Sequence, residues 1–440
     1  MKTPIYDFAK KYAEGGFVRA HMPGHKGASR LGVESLDITE ISGADSLYSA
    51  GGIIRESEEN ASSLFGAHTL YSTEGSSLSI RSVLAMIARY SAKNGRKAKI
   101  LAARNAHKSF IYGAALLDID VEWIYGEGYL SCALDCDAIE KKVREMNPDA
   151  VYITSPDYLG RVADVERIAE ICHRHGTLLS VDNAHGAYLK FLELSRHPID
   201  LGADLVCDSA HKTLPVLTGG GYLHISKDAP TELLSYARSS MELFGSTSPS
   251  YLILESLDLC NRELVQGYAE KIAEFAKKVE QYTEKLNTGG YILVSEEPLK
   301  ITIEAKKYGY NGNELALELE KLGIYSEFSD PDYLVLMLTP ENEDEIAKIT
   351  DALLSIPRKP EIEEAPPRPS HLESAISANE AALSPSESIP VSNSVGRILA
   401  SASVGCPPAV PIAVLGERIS ERTRDAFLYY GIDVVTVVKE

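Results

Sequence analysis

Between residues 99 and 226 the chain alternates short apolar runs with amphipathic stretches, and this alternation constrains its fold more than any other feature. KILAAR (99–104) predicts a strand and KSFIYGAALL (108–117) a helix, and VEWIY (121–125) and LDCDAIEKKVREM (134–146) repeat the pair. AVYITS (150–155), a helix over 164–175, TLLSVD (177–182), DLVCDS (204–209) and GYLHIS (221–226) continue the pattern. Strands joined through helices form a mostly parallel sheet covered on both faces. After Pro249 the texture changes. One long helix is predicted over 251–287. A smaller α/β unit follows, with strands at 299–305 and 333–338 and helices at 313–322 and 343–354. RKPEIEEAPPRPS (358–370), rich in Pro and Glu, reads as a linker. Beyond it, the tail ends in an amphipathic helix and the strand DVVTVV, and no internal repeat is visible. A chain of 440 residues is long for one domain. The expected organisation is an N-terminal arm (1–45), a large α/β domain (46–260), a small α/β domain (261–357), the linker (358–370) and a C-terminal domain (371–440).

Charge and composition remove several functional classes. The formal net charge of −19 argues against nucleic acid, whose phosphates need a basic footprint. It suits solubility and weakly favours cationic substrates. No apolar run approaches the roughly 18 residues that span a bilayer. The first residues lack the apolar core of a signal peptide, so a cytoplasmic location is expected. The six cysteines form no CxxC pair and no Cys/His metal spacing, so reduced thiols are expected. His21 and His25 are four apart, but Pro23 and Gly24 interrupt any helix that would align them, and no metal site is expected.

Four segments carry candidate chemistry. In CDSAHKTLPVLTGGGYLH (207–224), Lys212 follows a strand end, with Ser209 and His211 beside it and a glycine run behind it. Ligands of α/β sheets bind outside the carboxyl ends of strands. A lysine there can form a Schiff base, and glycines let backbone approach a bulky ring. In SVDNAHGAYL (180–189), Asp182 emerges at the same sheet edge, with His185 on the turn after it. A pyridinium nitrogen needs such a carboxylate partner to stay protonated, although an Asp ending a strand can also cap the next helix. In YSTEGSSLSIRSVLAMIARY (71–90), Gly75, Ser76 and Ser77 open an apolar helix, which makes either an anion site for a phosphate or a plain N-cap. In RNAHKSF (104–110), His107 can stack on a ring or serve as an ordinary loop histidine.

Together these segments resemble the fold-type-I enzymes that use pyridoxal 5'-phosphate (PLP), and more closely the ornithine/lysine/arginine decarboxylase family. HMPGHKG (21–27), the acidic stretch at 37–58, DNAHGAYL, SAHKTLPVLTGG, TSPSYLILESLDL (247–259) and the tail CPPAVPIAVLGERIS (406–420) are all similar to that family. The resemblance implies an α/β, aspartate-aminotransferase-like three-layer sandwich. It implies that Lys212 is the Schiff-base lysine, that Asp182 pairs with the pyridine nitrogen and that His107 stacks on the ring. Ser76, Ser77, Ser209 and His211 would contact the phosphate, Gly75 would give close approach, and His185 would lie beside the ring. A homodimer or higher oligomer is also implied, with Ser248 as the candidate cross-subunit contact. The sequence departs from the family pattern at Glu74, Ile80, Asp157, Leu159 and Asn183, which bears on the substrate.

The expected reaction is decarboxylation of lysine, arginine or ornithine to CO2 and a polyamine precursor. The alternative is another PLP reaction on the same scaffold, by an aminotransferase or a lyase. Aminotransferases of this fold clamp the substrate α-carboxylate with a small-domain arginine, a bidentate fork. Residues 263–357 contain no arginine, which favours loss of the carboxylate. Asp37, Glu40, Asp45 and Asp157 are the candidate carboxylates for a cationic side chain.

Overall fold

A computed structural model describes residues 1–93, 95–125, 133–367, 371–401 and 411–440. In chain order, helices α1 (Pro4–Glu14) and α2 (Ile53–Phe65) precede strand β1 (His68–Ser72) and α3 (Gly75–Lys93). Next come β2 (Lys99–Ala103), α4 (Lys108–Leu116), β3 (Asp120–Ile124), α5 (Cys136–Met146), β4 (Ala150–Thr154), α6 (Val165–Arg174) and β5 (Leu178–Asp182). β6 (Leu205–Asp208), the single turn α7 (Ala210–Thr213), β7 (Gly221–Ile225), α8 (Thr231–Glu242), α9 (Tyr251–Glu263) and α10 (Ala269–Thr288) follow. The remainder is β8 (Lys300–Glu304), α11 (Gly312–Lys321), β9 (Phe328–Ser329), β10 (Tyr333–Met337), α12 (Ile346–Ser355), α13 (Ala378–Leu383), β11 (Ser386–Pro390), α14 (Glu421–Tyr429) and β12 (Val434–Val438). Cys132, Cys406 and part of the predicted tail motif lie outside the described residues.

The chain divides into two compact units. The first comprises Met1–Ala98, Asn147–Tyr152 and Val165–Lys271. Its strands run in the order β1-β7-β6-β5-β4, with Ala150–Tyr152 as the share of β4 in this unit. β5 and β6 are parallel, with Asp182 opposite Cys207. β7 pairs antiparallel with both β6 and β1, so this part of the sheet is more mixed than the strand–helix alternation predicts. The reason is local, because residues 209–220 between β6 and β7 hold only the single turn α7, too short to act as a crossover helix, and the chain folds straight back beside β6. α3 lies across β1, β5, β6 and β7 and buries Leu78, Ile80, Val83, Leu84 and Ile87. The long helix expected over 251–287 is broken. Residues Leu264–Tyr268 interrupt it, with Gly267 in the left-handed region at φ 102°. A β-carbon there is strained, which is why the break falls on glycine.

The second unit comprises Lys99–Met146, Ile153–Asp164 and Ile272–Glu440. β2 and β3 pair in parallel, and β8-β10-β9 form an antiparallel sheet. β11 and β12 pair antiparallel over a separate core of Val391, Leu399, Ile419, Phe427 and Val437. Arg104, just past β2, makes a bidentate pair with Glu417 at 2.7 Å on each arm, both side chains being buried.

Candidate active site

The site in the first unit starts from the turn between β6 and β7. β6 ends at Asp208, Ser209 follows, and α7 presents Lys212. The chain then returns through Gly219, Gly220 and Gly221. A β-carbon on Gly221 would lie 2.7 Å from the Asp208 carbonyl oxygen and 2.9 Å from the Gly75 carbonyl carbon. Only glycine therefore lets this turn lie against the start of α3. Gly75 N–H donates to the Gly219 carbonyl at 2.6 Å, and Gly75 itself takes φ 61°.

The α3 start and the lysine turn are also joined by side chains. Ser76 N–H donates to Ser209 Oγ at 3.1 Å, and the two hydroxyls lie 3.0 Å apart. His211 Nδ1 lies 2.8 Å from the Gly220 carbonyl, so it carries the hydrogen of that bond, and burial holds the imidazole below its ordinary pKa. Ser77 is the next residue of α3. Hydroxyls gathered at the first turn of a 19-residue helix suit a phosphate group.

Opposite these residues stands Asp182, at the end of β5 and 1% exposed. Ala184 N–H donates to it at 3.2 Å, and the Tyr152 hydroxyl at 3.3 Å. Both bonds are long for a carboxylate acceptor. Burial pushes its pKa up to about 6, against the pull of the Lys212 ammonium. Lys212 Nζ lies 3.0 Å from His185 Nε2, and His185 is 4% exposed. A buried carboxylate, an amine and an imidazole thus lie together beyond the ends of β5 and β6.

His107 belongs to the second unit, where it is the N-cap of α4 and its Nδ1 accepts from Ser109 N–H at 3.2 Å. Asp157 and Leu159 are also in that unit, 3% and 2% exposed. Asp157 Oδ1 accepts from Arg161 N–H at 2.9 Å, which gives it a turn-forming role. Glu74 is tied down as well: its Oε1 accepts from Ser246 N–H at 2.8 Å and so holds the loop ahead of the TSPSY segment.

Sequence reasoning missed what lies one strand over. Asn183 Nδ2 donates to Asp208 Oδ1 at 2.8 Å. Asp208 Oδ2 lies 3.0 Å from His197 Nε2 and 3.1 Å from His224 Nε2, and all three side chains are fully buried. Their ligating atoms lie within 4.8 Å of one another, a spacing that a metal ion can use. The tautomer points to hydrogen bonding instead. Ile199 N–H donates to His197 Nδ1, so Nε2 carries the ring hydrogen toward Asp208. Burial works against ionisation of Asp208, but the two imidazoles outweigh it and hold the carboxyl well below its usual range. Burial keeps His224 below its ordinary pKa, as a neutral donor. The polar His224 within the predicted strand GYLHIS was the available signal.

The family profile described as Orn/Lys/Arg decarboxylase, major domain, matches residues 3–296. An arginine decarboxylase of Bacillus subtilis (strain 168) is 29% identical, over 98% of this chain and 94% of its own length. An arginine decarboxylase of Halalkalibacterium halodurans is 28% identical, over 96% of this chain and 91% of its own. Among solved structures, a Francisella novicida lysine decarboxylase superposes with a TM-score of 0.74 at 17% identity, covering 99% of this chain and 81% of that chain. The constitutive lysine decarboxylase of E. coli superposes with a TM-score of 0.70 at 18% identity, covering 100% of this chain and 82% of that chain.

Proposed function

The chain belongs to the Orn/Lys/Arg decarboxylase family, and from that premise we propose that it removes the α-carboxylate of arginine, lysine or ornithine as CO2, with PLP held on Lys212. The family is PLP-dependent and its fold is fold type I, as in the superposed decarboxylases. The names of the curated relatives put arginine first among the three substrates.

The observation that carries the residue assignment is the buried Asp182 beside Lys212. Its two hydrogen bonds among the described residues are long and its pKa is raised, which leaves room for a strong cationic N–H donor such as a protonated pyridine nitrogen. Ser76, Ser77, Ser209 and His211 flank the place for the phosphate, and Gly75 leaves room there. When bound, PLP supplies an electron sink for the pair left behind by CO2. The protein's own residues do the rest. Asp182 holds the proton on the ring nitrogen. His185 keeps the Lys212 amine in place and exchanges a proton with its Nζ. Lys212 Nζ, once free, is the amine that returns a proton to the substrate α-carbon. With no arginine in residues 263–357, that stretch has no guanidinium to pair with the departing carboxylate.

The reading extends to a cytoplasmic homodimer whose product, an amine with a second basic group, is of the class from which polyamines are built. Cys136, Cys172, Cys207 and Cys260 are free and buried, which suits a reducing compartment. No helix among the described residues is long and apolar enough to cross a membrane. Ser248 is exposed and available to a partner subunit. The domain boundaries at 45, 260, 357 and 370 belong to the same proposal.

Borohydride reduction of PLP-loaded protein, followed by peptide mapping, is expected to leave the label on Lys212, and the loaded protein is expected to release CO2 from one of the three amino acids. A label on another lysine overturns the assignment. A keto-acid product without CO2 overturns the reaction.

A further inference from the structure

α9 has two faces with different neighbours. Ser256 Oγ accepts from Leu217 N–H at 3.2 Å, and Ile253 and Leu257 pack against Gly219 and Gly220, so this face holds the turn behind Lys212. Glu255 lies two residues from Ile253 and from Leu257, about 200° around the helix, and so points away from that turn. Its companion on this second face is Asp258. Asp258 Oδ2 accepts from Ile5 N–H at 2.9 Å and Tyr6 N–H at 3.1 Å, and Oδ1 accepts from Ser57 Oγ. Asp258 is therefore fully used in fixing α1 and α2 to α9.

Glu255 is not. It is 3% exposed, and its Oε1 is buried with no hydrogen-bond partner among the described residues. Burial, then the negative charges of Asp37 and Asp258, push its pKa up to about 9. Asp37 comes from the acidic stretch DITEISGAD, is 29% exposed, and pairs with His25 Nε2 at 3.1 Å. The other titratable neighbour is Tyr251, raised by burial to about 12. No basic residue of α9 or the N-terminal segment answers Glu255. The arrangement is an unmatched buried acceptor behind a partly exposed carboxylate.

We propose that the unpartnered Glu255 Oε1, with the charge of Asp37 near it, receives a single ammonium or guanidinium group on the face of α9 turned away from the Lys212 turn. A divalent metal fits poorly, because a hard cation wants six or more oxygens and Asp258 is already engaged. An N–H donor matches the one free acceptor and cancels the local charge. The net charge of −19 draws such a cation to the surface. Burial and the neighbouring carboxylates favour the protonated form of Glu255 and a cation favours the ionised form, so binding is coupled to proton release. The group can come from a small amine or guanidine, or from a Lys or Arg side chain of a second copy.

The test uses PLP-loaded protein and methylguanidinium, which lacks a carboxylate and cannot be decarboxylated. Calorimetric titration at about pH 8 in two buffers of different ionisation enthalpy reads both affinity and proton release. Wild type is expected to release about one proton per cation, and Glu255→Gln to release none and bind at least about tenfold more weakly. Gln matches the protonated acid in shape, so folding is expected to survive. Asp37→Asn is expected to weaken binding while proton release persists. If methylguanidinium does not bind but Glu255→Gln weakens self-association in sedimentation, the cation comes from a second copy and the site stands. Unchanged binding and unchanged self-association in Glu255→Gln overturn it, as does proton release that persists in that variant. At protein concentrations where the assembly persists, labelling of Lys212 and CO2 release are expected to be intact in Glu255→Gln, so failure of the decarboxylase reading is seen separately.

Discussion

Asp182 and Asp208 end neighbouring parallel strands, and both are buried, yet their environments drive them in opposite directions. Asp208 accepts from two imidazoles and one amide, so the protein itself stabilises its ionised form. Among the described residues Asp182 has two long hydrogen bonds and the nearby Lys212, and burial raises its pKa to about 6. Burial costs a carboxylate the same solvation in both places. The difference is how many donors the fold brings to it. A carboxylate satisfied by the protein holds elements together, while one left short of donors has room to accept one from a ligand.

The contrast is broken most directly at Asp208. Asp208→Ala removes the shared acceptor of His197, His224 and Asn183. Hydrogen bonds to a charged group contribute about 1.5–3 kcal/mol each, so denaturant unfolding is expected to show a loss of at least about 3 kcal/mol. A stable Asp208→Ala protein that has lost PLP binding would reverse the two roles. Asp182→Asn is expected to do the opposite, with turnover falling by about 10²–10³-fold while the unfolding free energy is unchanged or raised. Near-wild-type turnover rejects the pairing with the ring nitrogen.

pH sharpens the same comparison in apoprotein. The folded pKa of Asp182 is raised above its unfolded value, so the folded state keeps a proton that the unfolded chain gives up. Its contribution therefore lowers stability as pH rises from about 4 to about 6, by up to about 3 kcal/mol, and Asp182→Asn is expected to flatten that fall. Asp208, with a depressed pKa, contributes stability above its unfolded pKa near 3.8 that is lost as the solution is acidified. Urea unfolding of both variants across this range checks the two signs. The smallest expected effect is at Thr69, whose Oγ1 lies 2.9 Å from His224 Nδ1 at the outer edge of the Asp208 network. Thr69→Val is expected to cost about 1 kcal/mol in stability with kcat unaltered.

Much of the fold is legible in sequence because its strands and helices are short, regular and separated by turn residues. Each predicted strand between 99 and 226 appears within a residue or two of its expected place. The break at Gly267 was not legible, because the apolar period continues across it and only the backbone angle reveals it. The antiparallel placement of β7 was equally hidden, since a run of apolar residues carries no direction. Within the site, Lys212, Asp182 and His185 are adjacent to strand ends, and their meeting follows from parallel strands sharing one edge. Asp157, a candidate carboxylate for the substrate in sequence, accepts from Arg161 N–H in the structure, and Glu74, a departure beside the α3 start, accepts from Ser246 N–H, contacts that residue type alone did not reveal.

Residue type and order alone determined the α/β alternation, the strand-end lysine and aspartate proposed to hold the cofactor, and the family to which the chain belongs. Those properties are local, carried by periodicity and by short motifs at strand ends. Only the tertiary structure decided which buried carboxylates are satisfied. His197 and Asn183 reach Asp208 from other loops, and α1 and α2 turn toward Asp258, whereas Glu255 and Asp182 remain short of donors. The free energy of a buried charge is set by the donors that folding places around it, and those come from distant parts of the chain.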